Sequence, residues 1–142
     1  MLTANIDDMT GEAFGYLMEH LMHRGALDVS FVPMTMKKSR PGLMVQVVAK
    51  VEDEERLTQE LLRESTTLGV RISRMRRVTQ ERHFERVRTE YGSLDVKIAG
   101  STGRPCPEYE QAAALARQCG VPYLEVCSAA VRAYLSGKEK KD

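Results

Sequence analysis

The spacing of apolar residues along the first 77 positions alternates between the period of a strand and that of a helix, and this alternation constrains the fold more than any other feature. Strand-like runs begin near residues 2, 27, 43 and 70, and helical spacing occupies 10–24 and 52–64. The order is strand, helix, strand, strand, helix, strand. It predicts an α+β fold with a ferredoxin-like βαββαβ core over residues 1–77, in which two helices pack on one face of an antiparallel sheet.

Residues 78–136 predict a second lobe that consists of a β-hairpin followed by two helices. The hairpin strands lie at 84–89 and 94–98, on either side of a turn at Tyr91-Gly92. A Gly/Pro-rich linker at 100–107 leads to helices at 108–118 and 123–135. The charged residues 137–142 predict a disordered tail.

Charge and cysteine content exclude several classes of protein. The chain has 142 residues and a net charge of +1, so it lacks the overall positive charge of a protein that coats nucleic acid. No apolar run approaches the roughly 20 residues of a membrane helix, and we expect no contact with a membrane and no secretory signal. The three cysteines form no CxxC pair, which argues against a zinc ribbon or a disulfide framework and favours a reduced, cytoplasmic location.

Two adjacent carboxylates, Asp7 and Asp8, lie between the first predicted strand and the first predicted helix, and Glu12 follows one turn later. Carboxylate oxygens are the ligands that Mg²⁺ and Mn²⁺ prefer. The alternative is helix capping, which satisfies free N–H groups at a helix start. Because only one side chain can occupy the cap position, two aspartates exceed what capping requires.

Two polar loops carry groups that suit phosphate. Lys37, Lys38, Ser39 and Arg40 supply three cations and a hydroxyl in consecutive positions before Pro41-Gly42. A second loop supplies the hydroxyls of Thr66 and Thr67 ahead of Arg71, without the GKS or GKT of a P-loop. The alternatives are a solvated basic turn and a helix end with local hydroxyl–backbone hydrogen bonds.

The stretch from residue 71 to residue 88 is rich in arginine, including Arg77, and Lys97 follows across the predicted hairpin. It predicts either an anion-binding groove or a solvated face balanced by neighbouring glutamates.

Glu108 and Glu110 begin a helix and either complete a metal or general-base site or stabilise the helix N-terminus. His20 and His23 lie three apart on a helix, which allows metal binding but is more typical of surface or partly buried histidines.

Six segments of the chain, taken together and in order, resemble the C-terminal domain of LarC, the nickel insertion proteins of nickel-pincer nucleotide cofactor synthesis. The resemblance extends from residue 3 to about residue 135. Its segments are Asn5–Glu12, Gly25–Val29, Met36–Gly42, Glu64–Arg71, Tyr91-Gly92 with Val96-Lys97, and Pro107–Glu110.

The resemblance implies an activity that the residues alone do not reveal. LarC proteins are CTP-dependent cyclometallases, classed as lyases, which insert nickel into pyridinium-3,5-bisthiocarboxylic acid mononucleotide with CTP hydrolysis. The product is the cofactor of lactate racemase. The C-terminal domain is implied to bind CTP with Mn²⁺ or Mg²⁺, nickel being the inserted metal. The N-terminal LarC domain, which this chain lacks, is then an expected partner for the complete reaction.

A triphosphate with about four negative charges needs both a metal ion and cations, and this requirement gives each predicted residue a role. We expect the divalent ion on Asp7 and Asp8, with Glu108 or Glu110 brought near, and the loops to gather into one pocket. The predicted nucleotide-binding residues are Lys37, Lys38, Ser39, Arg40, Thr66, Thr67, Arg71, Arg77 and Lys97.

Two other functions stay open at this point: a ferredoxin-like nucleic-acid-binding module and a regulatory ligand-binding module. The first normally stacks bases on sheet aromatics, and the predicted strands carry only Phe31 and Phe84, so we expect no nucleic-acid partner. An exposed edge in a small sheet leads us to expect homo-oligomers.

Overall fold

The computed structural model describes residues 1–139, and the charged residues 140–142 at the end of the predicted tail lie outside that part. The chain divides into two units, the first comprising residues 1–76 and the second beginning at residue 77. Within the described residues, no helix combines the length and the apolar character that crossing a bilayer requires.

Unit 1 contains a four-stranded antiparallel sheet and two helices. The strands are β1 (Leu2–Ile6), β2 (Asp28–Thr35), β3 (Pro41–Val48) and β4 (Arg71–Ile72), and the helices are α1 (Gly11–His23) and α2 (Glu54–Arg63). The sheet order is β2-β3-β1-β4. Strand β3 therefore lies between β1 and β2, which run in the same direction and are both antiparallel to β3. This order is that of the split βαβ arrangement, in agreement with the predicted ferredoxin-like core.

The core of unit 1 forms because both periods place apolar side chains on one side. Alternate residues of β1 are buried, and α1 and α2 cover them with apolar side chains three or four residues apart. Thr10 accepts a hydrogen bond from the Ala13 N–H at 3.3 Å and caps α1. The fully buried large side chains of this core include Leu2, Leu17, Leu21, Leu57 and Leu61.

Strand β4 is much shorter than the run from residue 70 toward Met75 predicts. It has two residues, which pair with Leu2 and Thr3 of β1. Residues 71–81 are all exposed, and Met75 retains 70% of its accessible surface. No second apolar surface covers this basic segment, so its side chains stay exposed. Without such burial, the strand does not continue beyond Ile72.

A buried carboxylate joins the two helices of unit 1. Glu60 of α2 is 4% exposed. Its Oε2 is 2.8 Å from His20 Nε2 of α1 and accepts a hydrogen bond from Arg63 at 2.6 Å. Its Oε1 accepts a hydrogen bond from Arg24 at 2.8 Å. The hydrogen bond with His20, followed by the two guanidinium groups, holds the pKa of Glu60 below its ordinary value of 4.5, although burial opposes the shift.

This lowered pKa predicts a specific pH dependence of stability. A carboxyl whose folded-state pKa is depressed stabilises the fold above its unfolded pKa and loses that contribution as the pH falls through the folded value. We therefore expect Glu60→Gln to be less stable than the parent at pH 7, and the difference to shrink below about pH 4.5. Urea unfolding at pH 7 and pH 3 measures both differences.

The exposed Glu19→Gln variant on α1 is the matched control for this titration, and it should follow the parent at both pH values. A stability difference for Glu60→Gln that stays the same at pH 7 and pH 3 would show that the ionised carboxylate is not what stabilises the helix pair.

Unit 2 contains a three-stranded antiparallel sheet and two helices. The strands are β5 (Arg82–Thr89), β6 (Gly92–Ala99) and β7 (Pro105–Pro107), in the order β5-β6-β7, and the helices are α3 (Tyr109–Cys119) and α4 (Tyr123–Glu139). Leu94, Val96 and Ile98 of β6 are buried in a core that also includes residues of both helices.

Two sequence predictions for unit 2 need correction. The end of the predicted linker, Pro105–Pro107, forms strand β7 because its backbone pairs with Val96, Lys97 and Ile98 of β6. Helix α4 continues to Glu139, so the first part of the predicted disordered tail at 137–142 is helical. Lys138 lies over the ring of Tyr134 one turn earlier, 5.1 Å from its centroid, which favours this last turn.

Candidate functional site

The end of the central strand β1 brings both predicted aspartates against loops that are distant in sequence. Arg40 Nη1 donates to Asp7 Oδ2 at 3.2 Å, and the Thr66 hydroxyl donates to Asp8 Oδ1. Asp7 and Asp8 therefore each contact a different loop, the first between β2 and β3 and the second between α2 and β4. The structure thus unites, within unit 1, the acidic segment with both predicted phosphate-binding loops.

The basic turn at 37–39 has an unusual backbone. Lys38 adopts φ 59° and ψ 27°, and Ser39 has φ 57°, so two consecutive non-glycine residues occupy the left-handed region. Each such residue costs about 1 kcal/mol or more, and strain of this kind concentrates at functional sites. The Met36 N–H donates to the Arg40 carbonyl at 2.8 Å and closes the turn.

The cations of this turn are available to a ligand. Residues 37–40 are all exposed. Among the described side chains, Arg40 is ion-paired to Asp7, whereas Lys37 and Lys38 have no carboxylate within ion-pair distance. The turn therefore presents uncompensated positive charge beside the acidic segment.

Gly42 allows the basic turn to approach the end of β1. A Cβ at this position would lie 2.8 Å from the Ile6 carbonyl oxygen and 2.7 Å from Met36 Sδ. Both distances are shorter than real Cβ contacts, so any larger residue must displace the strand end or the turn. The absence of a side chain at Gly42 is thus part of what places Arg40 against Asp7.

The threonine loop has a mixed role. Thr67 donates to the Gly69 carbonyl at 3.0 Å, which is the local hydroxyl–backbone hydrogen bond that the sequence offered as an alternative. Thr66, by contrast, contacts Asp8, and Arg71 Nη2 donates to Asn5 Oδ1 at 2.6 Å. Asn5, two residues before Asp7, is a member of this cluster that residue chemistry did not single out.

An apolar cavity of about 340 Å³ borders Asp7. Its lining is largely apolar and includes Met9, Phe14, Met34 and Leu43, and Asp7 is its one charged residue. This cavity was not predictable from the sequence, because apolar residues that line a cavity show the same periodicity as apolar residues that fill a core.

The other predicted residues belong to unit 2. Arg77 and Lys97 line a second cavity of about 640 Å³. Lys97 Nζ is 3.8 Å from Glu108 Oε1, whereas Glu110 is exposed and has no ion pair among the described side chains. The predicted site residues are thus divided between the two units, with two of the four predicted carboxylates in each.

A third group of possible metal ligands is His20, Glu60 and Glu64, whose ligand atoms lie within 4.8 Å of one another. Glu60 already accepts hydrogen bonds from Arg24 and Arg63, and Arg63 also pairs with Glu64 at 2.8 Å. Two guanidinium groups occupy the carboxylate oxygens that a cation would need. The geometry therefore favours an ion-paired contact between α1 and α2 over a metal centre.

Comparison with known proteins gives consistent matches over most of the chain. A family model described as nickel insertion protein matches residues 1–127. A pyridinium-3,5-bisthiocarboxylic acid mononucleotide nickel insertion protein from Lactiplantibacillus plantarum is 43% identical over 133 residues, covering 92% of this chain and 32% of that protein. A protein of the same description from Acetivibrio thermocellus is 39% identical, covering 100% of this chain and 35% of that protein. The chain thus spans about a third of the length of these curated relatives.

Two solved structures resemble the fold. LarC2, described as the C-terminal domain of a cyclometallase involved in the synthesis of the NPN cofactor of lactate racemase, in its apo form, superposes with a TM-score of 0.89. It is 42% identical, and the match covers 94% of each chain. Protein MK0293 from Methanopyrus kandleri AV19 gives a TM-score of 0.64 at 26% identity, covering 95% of this chain and 85% of that one.

Proposed function

The chain belongs to the nickel insertion protein family, and from this premise we propose that it is the CTP- and divalent-metal-binding part of a cyclometallase. The proposed reaction inserts nickel, as a substrate, into pyridinium-3,5-bisthiocarboxylic acid mononucleotide and hydrolyses CTP. The remaining two-thirds of such a protein, including an N-terminal domain, are proposed to be required for the complete reaction.

The observation that carries this proposal is the contact of Asp7 with Arg40 and of Asp8 with Thr66 at the end of β1. A nucleotide with its metal ion needs carboxylates and cations side by side, and this cluster supplies both within unit 1. Capping of α1 alone would not explain why Asp7 contacts Arg40, which lies 33 residues away in the sequence.

The donor set at this position fits Mn²⁺ or Mg²⁺. Asp7 and Asp8 offer four carboxylate oxygens, of which Arg40 and Thr66 each contact one. Such hard oxygen donors suit these ions, which commonly take one or two carboxylates and complete their coordination with phosphate and water. When bound, the ion would neutralise part of the phosphate charge.

The turn at 37–40 supplies the cations for the phosphates. Lys37 and Lys38 are exposed and, among the described side chains, unpaired, so they can meet a ligand without first losing a partner. Ser39 adds a hydroxyl, and Arg71 adds a guanidinium from the neighbouring edge of the sheet. The apolar cavity beside Asp7 offers a place for the base, since its volume of about 340 Å³ lies in the range of ligand pockets.

Thermal unfolding with CTP, ATP, GTP and UTP, each with Mn²⁺, tests the proposal. We expect CTP to raise the unfolding temperature more than the other three nucleotides, because a ligand that binds only the folded state stabilises it by mass action. Equal responses to all four nucleotides would instead indicate unspecific anion binding, and a response to RNA alone would favour a nucleic-acid-binding module.

Arg71→Ala is expected to weaken CTP binding roughly tenfold without unfolding the protein, because it removes one charge-assisted contact. Isothermal titration calorimetry with Mn²⁺ present measures the change. Arg117→Ala, an exposed arginine on α3, is the control and should bind CTP like the parent. Unchanged CTP affinity in Arg71→Ala would remove Arg71 from the proposed site.

A further inference from the structure

The outer face of the three-stranded sheet in unit 2 carries the larger of the two cavities described above. Its volume of about 640 Å³ falls in the range of small-molecule sites. Leu94, Val96 and Ile98 of β6 face the core, so the alternate residues Lys97 and Ala99 face outward. The cavity lies over these outward residues and is closed on one side by the segment 77–81.

The charge around this cavity is strongly one-sided. Four cationic side chains and one carboxylate line it, which leaves a formal excess of three positive charges. The cations are Arg77, Arg82, Lys97 and Arg104, and the carboxylate is Glu81. Among the described side chains none is ion-paired to the three arginines, and Lys97 has only the 3.8 Å contact with Glu108. Like charges held around one cavity repel each other, so a bound anion would stabilise the arrangement.

An exposed aromatic ring stands next to these cations. Phe84 of β5 pairs directly with Lys97 of β6, and Arg82, two residues earlier on the same face, pairs with Ala99. Directly opposed residues of an antiparallel pair have Cβ atoms about 5 Å apart. Phe84 does not itself line the cavity, but it is 54% exposed, so its ring is open to a ligand next to Lys97.

The segment that closes the cavity is held to the sheet by backbone contacts. The Gly100 N–H donates to the Glu81 carbonyl at 2.8 Å. A Cβ on Gly100 would lie 2.9 Å from the same oxygen, so the approach requires glycine at that position. This backbone contact holds the end of the segment against the sheet, although residues 77–81 form no helix or strand.

We propose that this cavity is a second anion site, separate from the metal-and-nucleotide site of unit 1, and that it takes a pyridinium mononucleotide with carboxylate groups on its ring. The choice of ligand rests on the proposed function. A phosphate monoester, two thiocarboxylates and one pyridinium nitrogen sum to about three negative charges at pH 7, which matches the excess charge of the cavity.

Two further features favour this class of ligand over a nucleoside triphosphate. A single carboxylate lines the cavity, which is a poor donor set for the divalent ion that accompanies a triphosphate. The Phe84 ring would attract a cationic pyridinium ring through its π face, an interaction that a neutral cytosine lacks. The arginines and Lys97 would then hold the phosphate and the ring carboxylates.

The test uses the full chain and nicotinate mononucleotide, a pyridinium mononucleotide with one ring carboxylate, as the probe. Isothermal titration calorimetry should show binding to the parent protein without added metal, and roughly 100-fold weaker binding to Arg82→Ala/Arg104→Ala, since two charged contacts are lost. Arg117→Ala/Arg132→Ala, which removes two arginines outside the cavity, should bind the probe like the parent. Phe84→Leu should weaken binding of the probe several-fold but leave binding of inorganic phosphate unchanged.

Cysteine alkylation supplies an independent readout of location. Cys106 is exposed and lines the cavity, whereas Cys119 is exposed and lies outside it. The probe should slow alkylation of Cys106 and leave that of Cys119 unchanged, as followed by peptide mass spectrometry.

The two proposals fail in distinguishable ways. No binding of the probe to the parent, or equal protection of both cysteines, overturns the second site, as does binding of inorganic phosphate as tight as that of the probe. Loss of CTP–Mn²⁺ binding in Arg82→Ala/Arg104→Ala also overturns it, because the two sites would then be one. Failure of the parent to bind CTP with Mn²⁺ overturns the proposed function. Binding of the probe in the cavity of unit 2 is a separate result, because that measurement uses neither CTP nor metal.

Discussion

Replacing Asp7 and Asp8 together by asparagine is expected to abolish Mn²⁺-dependent CTP binding, with a loss of affinity of at least roughly 100-fold. Asparagine keeps the size of each side chain but removes the two negative charges that would hold the divalent ion. It also removes the ion pair between Asp7 and Arg40, which lie 3.2 Å apart. Isothermal titration calorimetry with CTP, in the presence and absence of Mn²⁺, measures the effect.

The matched control is Glu12→Gln, which removes an exposed carboxylate in the first turn of α1, close in sequence to the same site. We expect it to bind CTP like the parent, and circular dichroism should show the same fold for both variants. If the double aspartate variant binds CTP with Mn²⁺ as tightly as the parent does, the metal ion is held elsewhere and Asp7 and Asp8 serve the start of α1.

Leu57→Ala is expected to lower the free energy of unfolding by about 2–5 kcal/mol. Leu57 of α2 is fully buried in the core of unit 1, where it packs with residues of β1 and α1. Truncation removes apolar contacts and leaves a cavity that a close-packed core fills only in part. Such a loss is a large fraction of the stability of a small domain. Urea denaturation followed by circular dichroism measures it.

Leu68 provides an unusually clean control for this change, because it undergoes the same chemical truncation while fully exposed, at 102%. Leu68→Ala should leave the unfolding free energy within about 0.5 kcal/mol of the parent. Equal effects of the two substitutions would contradict the packing of α2 on the sheet.

The local elements of unit 1 were predictable because their signals are local. Helical spacing over 10–24 predicts α1, and the strand-like run that begins near residue 2 predicts β1. Strand β7 was not predicted, since the three-residue segment Pro105–Pro107 carries no alternation and becomes a strand only by pairing with β6. The shortness of β4 was missed for the opposite reason, because an apolar run was present but nothing covers it.

The chemistry of the candidate site was predictable in part. Adjacent carboxylates and a run of cations indicate metal and phosphate from residue type alone, and the family is identified by the order of such segments. Glu60 was not singled out, and Asn5 was named only as the start of a segment, without a role. A glutamate on an amphipathic helix and an asparagine in a strand are common, and only their partners make them distinctive. The apolar cavity had no sequence signal, whereas the arginine-rich stretch with Lys97 offered an anion-binding groove as one of two alternatives, and Arg77 and Lys97 line the larger cavity.

By itself, the sequence determined the order of helices and strands in unit 1, the chemical character of each loop and the family, because these depend on neighbouring residues and their spacing. Only the tertiary structure decided which loops meet. Arg40 reaches Asp7 across 33 residues and Thr66 reaches Asp8 across 58, because the strand order β2-β3-β1-β4 places both loops at the end of β1. Strand order and register arise from burial of the whole core, which no local pattern contains.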